Sequence, residues 1–280
     1  RRKGLVSIRE AAIKRKSMRT YKEEPISQEL RQKLINYIEH VKAPFNTKVR
    51  FKIIDMDNIS SDVKLGTYGV IKGAKTFICS AVEKENKYEE NLGYVFEKII
   101  LYATTLGLGT CWLGGTFKRG EFGKAMELKE RESMPVITPI GYAKENRSLL
   151  DSLMVVVAGS KNRKDWNELF FDKSFDKAIK RDEVGKFKEA FEMVRIAPSA
   201  SNKQPWRIVK NGNSFHFFIA RNKGYGKALN FDIQRLDIGI AMCHFESTLN
   251  ELGFLGKWND DNPNVTTAEN IEYIITYTVS

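Results

Sequence analysis

Residues 93–112 read GYVFEKIILYATTLGLGTCW, and residues 239–258 read GIAMCHFESTLNELGFLGKW. The two strings share a glycine, a Leu-Gly pair and a tryptophan without a gap, at one offset of 146 residues. Two unrelated units could share generic helix ends, but a gapless match at four positions favours an internal duplication. The matched pairs are Gly93 with Gly239, Leu106 with Leu252, Gly107 with Gly253, and Trp112 with Trp258.

The first string predicts a helix over Leu92–Leu106 with apolar side chains on nearly every face. A helix of this kind is buried on most sides. Gly107 and Gly109 are expected to end it. The other elements predicted for the first half are helices over Arg9–Arg15 and Gln28–Val41, the second capped by Ser27, and strands over Val49–Ile54 and Pro135–Tyr142.

The second half repeats this order of elements. An Ala-Pro pair occurs at 43–44 and again at 197–198, in each case between a predicted helix and a predicted strand. A chain of 280 residues also fits two units better than one. We therefore expect two halves, 1–160 and 161–280, the second with helices over Val184–Arg195 and Asp237–Leu252 and strands over Trp206–Val209, Phe215–Ala220 and Ile271–Thr278.

Composition narrows the class of protein. Hydrophobic residues make up 42% of the chain, which is enough for a sizeable core. The net charge of +11 could indicate nucleic-acid or membrane binding, but cations and carboxylates are interspersed, as in EKENKYEE at 83–90, and only Arg1–Arg19 is densely basic. No apolar run approaches the roughly 18 residues of a membrane span. We expect neither a nucleic-acid nor a membrane partner.

Cysteine and histidine usage predicts no disulfide framework and no metal site. The three cysteines contain no CxxC pair, and the three histidines show no metal-ligand spacing. Such a chain is typical of a reducing compartment, and a cytoplasmic location is expected.

Three stretches carry residues suited to ligand binding. Arg15-Lys16-Ser17-Met18-Arg19 concentrates three cations and a hydroxyl that could converge on one phosphate, although a basic surface loop has the same composition. Ala197–Trp206 reads APSASNKQPW and suits a loop lying against a flat heteroaromatic ring, although ordinary connections share its residue types. LGLGTCWLGG at 106–115 has four glycines, which permit close approach of the backbone to a ligand.

Two further features are weaker. Lys161-Asn162-Arg163 could present two cations to one anion, or could be a solvated loop. Cys111 has no neighbouring histidine or cationic motif in the sequence, so we interpret it as a small buried hydrophobic residue rather than a nucleophile.

Taken together, these strings resemble the nitroreductase family. RKSMRTY at 15–21 is similar to the family's RRSxRxY/F motif, APSASNKQPW at 197–206 to its APSxxNxQPW motif, and LGLGTCWLGG at 106–115 to its LGLGTCWIGG motif. PIGYA at 139–143 resembles its IGY strand, and KNR at 161–163 resembles a Lys/Arg pair near its C-terminus.

The resemblance implies an α+β fold of antiparallel-rich sheets flanked by helices, with FMN at a dimer interface. The resemblance also implies which residues bind each part of FMN. The phosphate and ribityl chain would be held by Arg15, Lys16, Ser17 and Arg163, and less certainly by Arg19, which could pair with a carboxylate instead. The APS loop would lie by the flavin ring with Pro198, Ser199, Ala200, Ser201 and Asn202, and the glycine-rich segment would run along the flavin with Leu113, Gly114 and Gly115.

The order of the motifs departs from the family pattern. The first half has APFNTK at 43–48 where an APS string should stand, while the second half has RDE at 181–183 and GFLGKW at 253–258 in place of the other two motifs. Because the losses are complementary, the resemblance implies two tandem repeats forming an intramolecular pseudo-dimer. One FMN per chain and a monomeric fused chain are expected.

The implied activity is that of an FMN-dependent oxidoreductase. Hydride would pass from NADH or NADPH through the flavin to a small oxidised acceptor such as a nitroaromatic or a quinone, with no side chain assigned as catalytic acid or base. A flavin-binding protein without turnover, and a flavin-consuming enzyme of the same fold, are alternatives. A basic nucleic-acid binder is a third, weaker one.

Overall fold

The computed structural model describes residues 7–144 and 162–280. These residues form two compact units. Unit 1 contains residues 7–144 together with Leu229–Phe231, and unit 2 contains residues 162–228 and 232–280. The boundary expected between residues 160 and 161 falls within the stretch 145–161, which lies outside the described residues. Within the described parts of the chain, no helix combines the length and the apolar character needed to cross a membrane.

Unit 1 is an antiparallel sheet with a long buried helix. Its sheet has the strand order β1-β2-β5-β3, and β4 pairs with β2 beside β5. The helices are α1 (Ile8–Lys14), α2 (Gln28–His40), α3 (Tyr88–Thr105) and α4 (Arg119–Met126), and the strands are β1 (Val49–Asp55), β2 (Thr76–Glu83), β3 (Gly109–Thr110), β4 (Glu132–Ser133) and β5 (Ile137–Gly141).

Unit 2 is built around a second five-stranded sheet, in the order β6-β7-β8-β10-β9. All neighbouring strands in it are antiparallel except β6, which pairs in parallel with β7 at one edge. Its helices are α5 (Trp166–Leu169), α6 (Lys188–Ile196) and α7 (Ile233–Glu251), and its strands are β6 (Phe170–Asp172), β7 (Trp206–Asn211), β8 (Ser214–Ala220), β9 (Gly256–Asn259) and β10 (Ile271–Val279).

Aromatic residues fill the core of unit 2. Phe245 on α7 is fully buried and contacts four other rings at centroid distances between 4.9 and 5.9 Å. Those rings belong to α6, β8 and β10, so one side chain joins both helices to the sheet. Its ring partners are Phe191, Phe215, Phe217 and Tyr277.

The two units share one topology. Four strands of each unit correspond, when β4 and β6 are set aside. In unit 1 their order is β1-β2-β5-β3, so the last of them in the chain, β5, lies between β2 and β3. In unit 2 their order is β7-β8-β10-β9, so the last strand, β10, lies between β8 and β9. The long helix follows the second strand in both cases, as α3 and as α7. This recurrence supports the proposed duplication independently of the residue matches that suggested it.

The ends of the two long helices also agree in detail. The amide of Leu108 donates to the carbonyl of Ala103, and that of Gly107 to Thr104. At the same offset of 146 residues, Phe254 donates to Leu249 and Gly253 to Asn250. Both ends are therefore Schellman motifs, in which a glycine with positive φ satisfies carbonyls that the helix leaves free.

The predicted strands and the C-terminal ends of the predicted helices agree with the structure to within two residues, but three helices start elsewhere. Both long helices begin four residues before their predicted starts, at Tyr88 and Ile233, and α6 begins four residues after its predicted start, at Lys188. The apolar pattern does not predict the first turns of the long helices. Helix α3 begins with charged residues, and α7 begins directly after its cap residue Asp232. The central strand β2 and helix α4 were not predicted at all. Every residue of β2 but the last is buried, so the strand lacks the alternation that identifies a half-exposed strand.

Alanine at Gly253 is expected to destabilise unit 2 by about 1 kcal/mol, since this glycine has φ +83 and a side chain is strained in that region. No atom lies within 4 Å of a Cβ built there, so a clash does not contribute. The matched control is Gly123 within α4, where φ is not positive and alanine should stabilise by about 0.5–1 kcal/mol. Urea midpoints of the two variants should move in opposite directions, and a shared direction would contradict this account.

Candidate functional site

In unit 1 the basic segment lies directly beside the glycine-rich segment. Ser17 pairs in parallel with Thr110, and the amide of Met18 donates to the Thr110 carbonyl at 2.8 Å. Gly109 lets the two segments approach closely at this crossing, because a Cβ there would lie 3.0 Å from the Met18 side chain, which would have to shift to make room. Two motifs separated by about ninety residues in the sequence are thus adjacent in the fold.

Arg15 supplies a partly buried positive charge in this group. It follows the last residue of α1, and its amide donates to the Ala11 carbonyl at 2.7 Å. Its Nε and Nη1 atoms are buried and have no hydrogen-bond partner among the described residues. Burying unpaired cationic donors is costly, so this guanidinium is suited to receive an anion.

The neighbours of Arg15 differ in exposure. Lys16 and Arg19 are exposed, whereas Ser17 is half-buried and contacts the Cys111 thiol. Burial raises the pKa of the Cys111 thiol, and the positive charges of Arg19 and Arg15 only partly offset this effect. A neutral, buried thiol agrees with the interpretation of Cys111 as a small hydrophobic residue.

The Leu113-Gly114-Gly115 segment is fixed to the sheet by Leu113, which is buried and exchanges two backbone hydrogen bonds of 3.0 Å with Ile137. Gly114 is half-buried, and Gly115 is exposed. The segment therefore combines an anchored residue with accessible backbone directly after it.

Arg119 was not singled out in the sequence, yet it holds this segment in place. Its Nη2 donates to the Gly114 carbonyl at 2.6 Å, and its Nη1 donates to the carbonyls of Met134 and Pro135. Burial lowers the pKa of Arg119. The sequence FKRGEF at 117–122 does not reveal this role, because the hydrogen bonds of Arg119 go to backbone carbonyls, which every residue has.

In unit 2 the APS loop has an unusual backbone. Ser201, Asn202 and Gln204 have φ values of +47, +53 and +47. Non-glycine residues in this left-handed region cost free energy and persist only where the surroundings hold them. The Ser199 hydroxyl accepts from the Gln204 amide at 2.9 Å and so closes the loop on itself.

Arg163 lies against the same loop. Its Nη1 donates to the Ala197 carbonyl at 2.6 Å and to Asn202 Oδ1 at 3.0 Å. Asn202 in turn donates through Nδ2 to the Asn162 carbonyl at 3.0 Å. The KNR stretch and the APS loop are therefore brought together, although Lys161 lies outside the described residues.

Two more residues support the loop and were missed in the sequence. Both Asp237 carboxylate oxygens accept from the Ala200 amide, at 3.0 and 3.2 Å. The Tyr225 hydroxyl donates to Ser201 Oγ at 2.8 Å. Asp237 did leave a signal, since it is a carboxylate within the otherwise apolar run LDIGIAM at 236–242. Tyr225 left none that distinguishes it from other loop tyrosines.

The sequence-predicted residues thus form one group within each unit. The unit 1 group contains Arg15, Lys16, Ser17, Arg19, Leu113, Gly114 and Gly115, and the unit 2 group contains Arg163, Pro198, Ser199, Ala200, Ser201 and Asn202. One group carries an arginine with two buried donors that have no partner among the described residues, and the other carries a loop of small residues held by hydrogen bonds. Their assignment to a cofactor stays a prediction.

A solved structure matches this fold over the whole chain. The protein, described as a "putative nitroreductase" from Thermotoga maritima, is 20% identical, with a TM-score of 0.64 over 100% of this chain and 95% of that one. Two further structures match about half of the chain. A nitroreductase family protein from Clostridium novyi is 20% identical and covers 50% of this chain, with a TM-score of 0.40 over 87% of that protein. A protein described as a "putative nitroreductase in complex with FMN" from Desulfovibrio desulfuricans is 21% identical and covers 52% of this chain, with a TM-score of 0.40 over 95% of its own.

The family comparison covers most of the chain. No curated protein sequence matches significantly. The family described as "Putative TM nitroreductase" matches residues 7–249, a range that includes all the motifs in which the resemblance was found. With the α+β topology and the full-length likeness to the Thermotoga structure, this match shows that the chain belongs to that nitroreductase family.

Proposed function

We propose that this protein is an FMN-dependent oxidoreductase that passes hydride from NADH or NADPH through the flavin to a small oxidised acceptor, such as a nitroaromatic or a quinone. Membership of the nitroreductase family supports the reaction class. The observation that carries the cofactor assignment is Arg15, whose buried Nε and Nη1 have no partner among the described residues. A phosphate would supply the missing acceptors.

The residues of unit 1 fit the phosphate end of FMN. Arg15 offers two buried N–H groups, Ser17 offers a hydroxyl two residues further along the chain, and Lys16 and Arg19 add positive charge at the surface. An arginine pairs well with phosphate because its donors match two oxygens at once. These residues would hold the phosphate and the adjoining ribityl chain, and Leu113, Gly114 and Gly115 would lie along the flavin.

The residues of unit 2 fit a flat ring. The loop from Pro198 to Asn202 presents small side chains, and hydrogen bonds of Asp237, Ser199 and Arg163 hold its backbone. A loop held in advance of binding loses little entropy when a ligand arrives. Arg163 already bonds the loop through Nη1, so its role toward FMN would be to secure the loop as well as to attract the phosphate.

We assign no side chain as a catalytic acid or base. Burial raises the pKa of the Cys111 thiol and that of the Tyr21 phenol, so both groups stay protonated and neutral near pH 7. When bound, FMN would supply the hydride-accepting and hydride-donating chemistry, and the protein would supply position and electrostatics.

We expect one FMN per chain and a monomer in solution. The complementary motif losses support this, since unit 1 has APFNTK at 43–48 and unit 2 has no counterpart of the basic segment. The ratio of flavin absorbance to protein concentration, with light scattering for the mass, checks both expectations. A ratio near two flavins per chain would contradict the single-site proposal.

The absorption spectrum of the purified holoprotein, before and after anaerobic addition of NADH or NADPH, tests the function. Bleaching of the flavin bands, followed by reoxidation with a nitroaromatic or quinone, is the expected result. Bound flavin that neither nucleotide reduces would overturn the reductase assignment in favour of a flavin-binding or flavin-consuming protein. A colourless protein with salt-sensitive DNA binding would overturn the flavin assignment itself.

A further inference from the structure

Asp237 is a buried carboxyl group that no assigned role explains. It lies in the second turn of α7 and is 1% exposed. Among the described residues, its hydrogen-bond donor is the Ala200 amide, at 3.0 Å from Oδ1 and 3.2 Å from Oδ2. Burying a carboxyl group in a helix with so few donors costs stability, so a compensating role is expected at the loop it contacts.

That loop needs support from outside itself. Ala200 begins the short turn Ala200–Asn202, and the two residues after it both have positive φ. Non-glycine residues are strained in this left-handed region. A bond from the rigid helix α7 to the first amide of the turn fixes where the turn begins, and with it the direction of the residues that follow.

Unit 1 contains the same arrangement with a different side chain. Asn91 on α3 occupies the position 146 residues before Asp237 and is fully buried. Its Oδ1 accepts from the Phe45 amide at 3.0 Å, and its Nδ2 donates to the Thr47 carbonyl at 3.0 Å. Phe45 and Thr47 belong to APFNTK, the counterpart of the APS loop. In both units, therefore, the long helix holds this loop through one polar side chain.

We propose that Asp237 is a positioning residue that fixes the APS loop for the flavin ring through the Ala200 amide. The part concerning flavin rests on the proposed function, whereas the part concerning the loop does not. Asn91 shows that an amide at this position can also accept from a loop N–H. Asp237→Asn should therefore retain most of the effect, and Asp237→Ala should lose it.

Hydrogen exchange on the apoprotein tests the positioning role without any cofactor. Peptides covering 197–206 should exchange at least about tenfold faster in Asp237→Ala than in the wild type, and near the wild-type rate in Asp237→Asn. Asn91→Ala is the matched control, because it removes an equally buried loop anchor from unit 1 and should leave 197–206 unchanged. Wild-type exchange in Asp237→Ala, or equal loosening by Asn91→Ala, would overturn the proposal.

FMN titration then tests the consequence for the cofactor. We expect Kd to rise about tenfold in Asp237→Ala, with an altered spectrum of the bound flavin, and to change less than about threefold in Asp237→Asn and Asn91→Ala. Normal FMN affinity in Asp237→Ala would limit Asp237 to the loop and overturn its role toward flavin. If the wild type binds no FMN, the proposed function fails, and hydrogen exchange still decides the positioning role.

Ala200→Pro provides a second route if Asp237→Ala does not fold. Proline removes the amide that Asp237 contacts, and Ser199 at φ −146 and ψ 159 has the extended backbone that a following proline requires. The single variant should match Asp237→Ala in exchange and in Kd. Adding Asp237→Asn to it should change neither further, and an additive loss would show that Asp237 acts through some other group.

Discussion

Arg15→Met is expected to weaken FMN binding about 100-fold and, in the same protein, to raise the melting temperature of the apoprotein. The two effects have opposite signs because one guanidinium serves both states. Without an anion, its Nε and Nη1 are buried with no partner among the described residues, which is costly. With FMN bound, the same two donors would each make a charge-assisted hydrogen bond to the phosphate.

The magnitudes follow from this difference. A hydrogen bond to a charged group is worth about 1.5–3 kcal/mol, so losing the arginine should remove close to 3 kcal/mol, or about two powers of ten in Kd. Methionine keeps an apolar stem of similar length and removes the charge. A gain of about 1 kcal/mol in the apoprotein would appear as a rise of roughly 2–4 °C in Tm.

Lys14→Met is the matched control for Arg15→Met. Lys14 is the last residue of α1, one position earlier, and it is exposed. It should change the FMN Kd less than about threefold and leave the apoprotein Tm unchanged. Calorimetric titration and thermal melts with and without FMN measure both quantities. An Arg15→Met apoprotein that melts lower than the wild type, with unchanged FMN affinity, would make Arg15 a structural residue and contradict the phosphate assignment.

Local signals in the sequence predicted much of the fold. Ser27 caps α2 by accepting from the Leu30 amide, and Gly107 and Gly253 end the two long helices with positive φ. Caps and helix-ending glycines act within a few residues, so they can be recognised without knowing the tertiary structure. The same locality explains why the offset of 146 residues, found at the helix ends, identified corresponding structural elements.

What the sequence did not predict depends on contacts between distant residues. Strand β2 has no exposed face, so its pattern TFICSAVE does not show the alternation of a surface strand. At the site, Arg119 acts on backbone carbonyls up to 16 residues away, and Asp237 acts on an amide 37 residues earlier. Motifs located the candidate groups, but the residues that hold them in place could be found only from the fold.

Gln204→Ala is expected to destabilise unit 2 by about 3 kcal/mol and to release the segment that carries Arg163. Gln204 is 1% exposed, and its Oε1 accepts from the Lys164 amide at 2.8 Å. Its Nε2 donates to the carbonyls of Asn162 and Asn202 at 3.2 and 3.0 Å. Alanine would leave these groups without that partner, at roughly 1–3 kcal/mol for each one that stays buried.

Gln234→Ala is the matched control, because it removes another buried glutamine that does not bond the segment carrying Arg163. Gln234 is 5% exposed and also bonds backbone groups through both side-chain atoms, but these groups belong to Asn222 and Tyr225 rather than to residues 162–164. Both variants should lower the urea midpoint of unit 2. Only Gln204→Ala should speed hydrogen exchange at 162–164, because Gln204 is the one of these two glutamines that bonds this segment. A Gln204→Ala variant within about 0.5 kcal/mol of wild type would show that the segment and the loop are held together by Arg163 and Asn202 alone, which already share a 3.0 Å hydrogen bond.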